Sequence, residues 1–177
     1  MRCLMQEREL LIEQLEGSEQ AFLKAMEGLS PAQLDFKPSP EVWSARECAE
    51  HLAVCEDEMY GLVQGILASP AQPERKPHLT DEWVYQYGRD RTHAASQTSA
   101  SMAPSHRWAD LAAILEHFQA SRARMVELAR TAVDLRSHFD ERGDLDAWQL
   151  ILIAATHTER HRRQIEALKA DPQYPKT

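Results

Sequence analysis

Near the end of the chain, residues 146–168 read DAWQLILIAATHTERHRRQIEAL, and this stretch carries the clearest helix signal in the sequence. Asp146 and Gln149 match a capping box, in which each side chain bonds a backbone N–H at the start of a helix. Seven residues then share one helical face: Leu150, Ile153, Ala154, His157, His161, Ile165 and Leu168. The stretch therefore predicts a long amphipathic helix with two histidines in its apolar face.

Three earlier segments show the same helical spacing of apolar residues. The first runs from Leu4 to Met26, the second begins at a capping box, Ser44-Ala45-Arg46-Glu47, and runs to Leu67, and the third follows Trp108. The residues predicted to face inward are Leu4, Leu11, Leu15, Phe22 and Met26 in the first, Cys48, His51, Leu52, Cys55, Met59, Leu62 and Ile66 in the second, and Trp108, Leu111, Leu115, Phe118, Met125 and Ala129 in the third.

The connections between these helices constrain the topology. Residues 69–106 form a connection of roughly forty residues that is rich in proline and polar residues and holds a short aromatic segment, Trp83 to Tyr87. We interpret it as a long crossover, which lets the second and third helices run parallel. Since each apolar stripe must be covered, the chain is predicted to be one all-α domain, residues 1–177, folded as an up-down-down-up four-helix bundle.

Composition and charge exclude some classes of binding partner and indicate the cellular compartment. The net charge of −8 argues against nucleic acid and against an anionic membrane surface, since both need clustered cations. No run of 18 apolar residues is present, and the start of the chain becomes charged too early for a signal peptide, so we expect a cytoplasmic protein. Three cysteines are too few for a disulfide framework, and we expect reduced thiols.

The histidines carry the chemistry. His157 and His161 are four residues apart, so their imidazoles lie one turn apart on one face and can bind one ion together. His51 lies on the inward face of the second helix, roughly 10 Å from its start. If the two helices are antiparallel, the three side chains fall within one or two turns of one another. The sequence predicts one divalent metal ion at His51, His157 and His161. Three imidazoles with an open position resemble a catalytic zinc site, and the same donors suit nickel, iron or copper, so the identity of the metal stays open.

Several alternatives stay open at these positions. His157 and His161 can be an ordinary core pair rather than ligands. Cys55, one turn after His51, can be a fourth ligand, but a small buried hydrophobe is the commoner role of a free cysteine. Arg122, in the register of the third stripe, can bind an anionic substrate group, pair with an acid such as Glu58, or extend to solvent. Glu56 and Glu58 are candidates for a base beside the metal.

Four motifs in order carry a family resemblance: Phe36-Lys37-Pro38, Trp43-Ser44-Ala45-Arg46-Glu47, His51-Leu52, and His157-Thr-Glu-Arg-His161-Arg-Arg-Gln164-Ile165. Together, and over essentially the whole chain, they resemble the DinB-like superfamily, which includes YfiT-like metal-dependent hydrolases and thiol S-transferases. The resemblance implies the up-down-down-up bundle, three metal-binding histidines at His51, His157 and His161, and a homodimer.

For function, the resemblance implies a spread of reactions on small molecules. Better-understood relatives transfer low-molecular-weight thiols such as bacillithiol or mycothiol to electrophiles, or use such a thiol in isomerisation. We expect a metal-dependent enzyme that activates a thiol, or second a water molecule, against a small electrophile. The alternatives are a non-catalytic bundle that binds a metal or small ligand, and a structural dimer with a vestigial site. Substrate specificity is expected in the crossover, residues 69–106.

Overall fold

The structure, a computed structural model, describes residues 2–90 and 99–176, with side chains from Met5 onward. Within this part of the chain it is all-helical, as predicted, and contains no strand beyond one isolated bridge between Phe139 and Asp146. The helices are α1 (Arg2–Met26), α2 (Pro31–Leu34), α3 (Ala45–Leu67), α4 (Asp81–Arg89), α5 (Leu111–Thr131) and α6 (Ala147–Lys169).

Both predicted capping boxes are present. The Ser44 hydroxyl accepts from the backbone N–H of Glu47 at 3.2 Å, and the Glu47 carboxylate accepts from the N–H of Ser44 at 2.8 Å. At the start of α6, Asp146 accepts from the N–H of Gln149 at 2.8 Å. These bonds satisfy donors that have no partner inside the helix, and they fix where the two histidine-bearing helices begin.

The four long helices pack in a cyclic order. Helix α1 lies against α5 and α6, and α3 lies against the same two helices, so each long helix has two principal neighbours. This arrangement is compatible with the predicted four-helix bundle. The predicted stripe of α1 is buried at Leu11, Leu15, Phe22 and Met26, while the side chain of Leu4 lies outside the described residues.

The prediction that Leu62 of α3 faces inward was wrong. Leu62 is 48% exposed, whereas the next residue, Val63, is fully buried. Leu62 and Val63 are about 100° apart around the helix, and near the end of α3 the buried face is narrow enough to include Val63 and leave Leu62 outside. Glu56, seven residues before Val63, lies on the same side of α3 and is also buried, so the buried face of α3 includes both residues.

The crossover contains a helix that the sequence analysis did not predict. Thr80 caps α4 by accepting from the N–H of Trp83 at 3.2 Å, and α4 packs along α6 with Val84 buried between them. Residues 91–98, in the same crossover, lie outside the described residues. Across 2–90 and 99–176, no helix has both the length and the apolar character that crossing a membrane requires.

Gly88 sets how closely α4 approaches α6. A Cβ at this position would lie 2.1 Å from Thr156 Oγ1, which is far inside van der Waals contact. Gly88→Ala should therefore force the helices apart and lower the free energy of unfolding by about 1–3 kcal/mol, measured by urea denaturation.

Gly61 provides a matched control for this substitution. It lies within α3, and a Cβ there meets nothing within 4 Å. Gly61→Ala should raise the free energy of unfolding by about 0.5–1 kcal/mol, because alanine loses less backbone entropy in a helix. A Gly88→Ala protein as stable as the Gly61→Ala protein would contradict the close approach of α4 and α6.

Candidate metal centre

The structure brings His51, His157 and His161 together between α3 and α6. His51 and His161 are each 5% exposed, and His157 is half-buried. The ring centroids form a triangle with sides of 5.1 Å from His51 to His157, 4.9 Å from His51 to His161, and 4.7 Å from His157 to His161. The three side chains that the sequence selected as ligands therefore lie next to one another.

His157 occupies the middle of this cluster. Its Nε2 atom lies 3.3 Å from His51 Nε2 and 3.0 Å from His161 Nε2. Imidazole nitrogens bound to one ion at about 2.0–2.1 Å lie roughly 3.0–3.4 Å apart, so these two separations are those of neighbouring ligands. The donor set also fits, since imidazole suits zinc, nickel and iron.

The backbone fixes the tautomer of His51. The carbonyl of Met102 can only accept, so Nδ1 of His51, at 2.8 Å, carries the proton and donates it. Nε2 is then left with a lone pair that points at the other histidines. Metal-bound histidines in proteins are held in this way by a partner on the second ring nitrogen.

Burial keeps the three imidazoles neutral. It lowers the pKa of His51, and it lowers the pKa of His157 to about 3. The proximity of His51, Arg160 and Arg122 adds to this second shift, because each of them would repel a second positive charge on His157. The pKa of His161 lies well below its ordinary value, because of burial and then because of His157 and His51. Neutral imidazole is the form that binds a cation, so no proton has to be displaced near pH 7.

Cys55 also belongs to this cluster. Its Sγ atom lies 3.5 Å from His51 Nε2, and the ligand atoms of His51, Cys55 and His157 all lie within 4.8 Å of one another, a group that could hold a metal ion. Core packing is the role predicted for Cys55 from the sequence, although its position one turn after His51 is also that of a possible ligand. Burial, with the nearby charges of Glu56 and Glu58, raises the pKa of the Cys55 thiol to about 12.

Trp43 forms a wall of the site, a role that the sequence analysis missed. Its ring lies 4.7 Å from that of His51 and stacks on His161 at 6.1 Å with an interplanar angle of 16°. Because Trp43 directly precedes the cap residue Ser44, the start of α3 sets its position. The indole shields one side of the imidazoles from water, which strengthens electrostatic interactions within the site.

Arg122 lies deeper in the core and does not extend to solvent. It is fully buried and donates to Glu56 at 2.8 Å, not to Glu58, which is exposed. The same guanidinium donates to the Leu15 carbonyl at 2.9 Å and to Thr158 Oγ1 at 2.8 Å. Since these partners lie on α1, α3 and α6, the guanidinium links all four long helices, and it is not free to bind a substrate anion.

No curated protein and no solved structure matches this chain. A family model described as the DinB superfamily matches residues 14–165. The matched region begins in α1 and includes all three clustered histidines. Since it covers most of the 177 residues, the chain belongs to the DinB superfamily.

Proposed function

We propose that this protein binds one divalent metal ion through His51, His157 and His161 and uses it to activate a small nucleophile. The observation that carries the proposal is the Nε2 cluster, in which His157 lies at ligand-like separations from both other histidines. The four long helices hold these residues as a bundle of up-down-down-up topology. Zinc or nickel is the proposed ion, with iron third.

We assign the fourth coordination position to substrate and not to Cys55. A thiolate bound to an ion on His51 Nε2 would lie much closer to Nε2 than to Nδ1. Instead, Sγ of Cys55 lies 3.5 Å from Nε2 and 3.6 Å from Nδ1, which puts the sulfur beside the ring. Three protein ligands with one open position are the pattern of catalytic zinc sites, whereas four protein ligands are typical of structural ones.

The bound ion would lower the pKa of a coordinated thiol or water and so supply a nucleophile near neutral pH. The protein's own groups orient this chemistry. Met102 fixes the tautomer of His51, and Trp43 covers one side of the imidazoles. We place thiol transfer ahead of hydrolysis by analogy with the family, and we place the reaction in the cytoplasm, where low-molecular-weight thiols are reduced. The homodimer stays a prediction.

The reaction can be tested with a thiol and a chloro-substituted aromatic electrophile. The thiolate attacks the ring carbon, a C–S bond forms, the C–Cl bond breaks, and chloride leaves. We expect the metal-loaded protein to accelerate thiol-dependent chloride release for one member of a panel of cellular thiols, and the His157→Ala variant to lose this acceleration. A parallel ester substrate without thiol tests hydrolysis.

Two outcomes favour the other functions. Stoichiometric metal without turnover across the thiol and ester panels would contradict the enzyme and favour a non-catalytic bundle that binds a metal or small ligand. Equal stability with and without a chelator would favour a structural dimer with a vestigial site, because a ligand that binds only the native state must stabilise it.

A further inference from the structure

Residues 99–107, here called the strap, are held to α3 by one buried carboxylate. Glu50 is 2% exposed, and its two oxygens accept three successive backbone N–H groups. These donors are Ser105 at 2.8 Å, His106 at 3.1 Å and Arg107 at 3.0 Å. Bonds from backbone donors to a buried charge are among the stronger hydrogen bonds in proteins, so Glu50 is the main anchor of this segment.

The same strap reaches the metal centre at its other end. The Met102 carbonyl accepts from His51 Nδ1 at 2.8 Å, and a turn places it there, with the N–H of Met102 donating to the Ser99 carbonyl at 3.0 Å. Arg107 ties the two ends together, donating to Ser105 Oγ at 2.9 Å and to the Ser101 carbonyl. The anchor at residues 105–107 and the carbonyl of residue 102 therefore belong to one braced unit.

We propose that Glu50 is a positioning residue for the metal centre: by anchoring the strap, it holds the Met102 carbonyl against His51, so that His51 presents an unprotonated Nε2 to the ion. This inference rests on the proposed metal site. Without that carbonyl, the described partner of Nδ1 is the weak acceptor Cys55 Sγ at 3.6 Å, which lies as close to Nε2, at 3.5 Å, and so favours neither tautomer. The tautomer of an imidazole is set by the bond that its second nitrogen makes.

The experiment compares Glu50→Ala and Glu50→Gln with Glu58→Gln. Glu58 lies on the same helix and is exposed, so its substitution removes the same charge without touching the strap. The first readout is the tautomer of His51 in the metal-free protein, from ¹⁵N NMR of the ring nitrogens, assigned by comparison with His51→Ala. The second is Zn²⁺ affinity from competition with a chromogenic chelator.

We expect wild-type His51 to be protonated on Nδ1 and Glu50→Ala to shift the proton toward Nε2, with Zn²⁺ affinity falling about 10–100-fold. Glu50→Gln keeps one acceptor oxygen, so its His51 tautomer and its Zn²⁺ affinity should lie between those of the wild type and Glu50→Ala. If the alanine variant does not fold, Glu50→Gln is compared with the wild type instead. Glu58→Gln should match the wild type in both readouts. A loss of stability alone would not move the tautomer of a folded protein.

One result would overturn the role given to Glu50, and another would overturn the proposed metal site. Folded Glu50 variants with an unchanged His51 tautomer and unchanged Zn²⁺ affinity would show that Glu50 does not position His51. Wild-type protein that binds no Zn²⁺ would instead overturn the proposed metal site. In that case the tautomer comparison, made without metal, still decides whether the strap controls His51.

Discussion

The His157→Ala, His161→Ala double variant is expected to lose the stabilisation that Zn²⁺ gives to the wild-type protein. Both imidazoles come from the same face of α6, and His157 Nε2 lies between the nitrogens of the other two histidines. Removing them leaves one imidazole, His51, with the Cys55 thiol beside its ring, and this pair is a much weaker zinc site than three imidazoles. Free Zn²⁺ at about 1,000 times the Kd of its site stabilises the native state by about 4 kcal/mol. Urea unfolding with excess Zn²⁺ and with a chelator measures this difference.

His78→Ala serves as the control for this pair. His78 is exposed and bonds Asp144 at 2.8 Å, away from the cluster, so its removal should leave the zinc-dependent stabilisation unchanged. If the double variant were stabilised by Zn²⁺ as much as the His78→Ala protein, the ion would be binding elsewhere and the assigned ligand set would be wrong.

Arg122→Met should be the most destabilising single substitution described here, by about 3–5 kcal/mol. The side chain is fully buried, and its loss leaves the Glu56 carboxylate without the only hydrogen bond described for it, while Oε1 of Glu56 already has none. It also removes the donors to Leu15 and Thr158. The free energy of unfolding from urea denaturation gives the cost.

A second substitution separates the buried charge from the packing. Glu56→Gln in the Arg122→Met background removes the unpaired carboxylate and should recover part of the lost stability. Arg124→Ala is the surface control, because Arg124 and its partner Asp57 are both substantially exposed, and it should cost no more than about 1 kcal/mol. An Arg122→Met protein as stable as Arg124→Ala would contradict the structural role given to this guanidinium.

The features that the sequence predicted well depend on contacts within one helix. The two members of each capping box, at Ser44 and at Asp146, are only three positions apart. The spacing of His157 and His161 places them on one face whatever surrounds them. Adding His51 required the assumption that α3 and α6 pack together and run antiparallel, and the structure packs these two helices together.

The features that could not be predicted from the sequence depend on partners far apart in the chain. Met102 lies 51 residues from His51, and the donors to Glu50 lie 55 to 57 residues away, so no periodicity connects them. Pairing with an acid was one of three alternatives for Arg122, with Glu58 as the example. The partner is Glu56, because the buried face of α3 includes Glu56 and leaves Glu58 exposed. The packing of α4 depends on one small residue, Gly88, which carries no apolar signal.

The metal content of the native protein tests the central claim most directly. Elemental analysis should be made on protein purified without an affinity tag, beside the His157→Ala, His161→Ala variant prepared in the same way. We predict about one equivalent of zinc, nickel or iron per chain, lost in the variant. Metal absent from both proteins, with no uptake on reconstitution, would contradict the claim that these three histidines form a metal site.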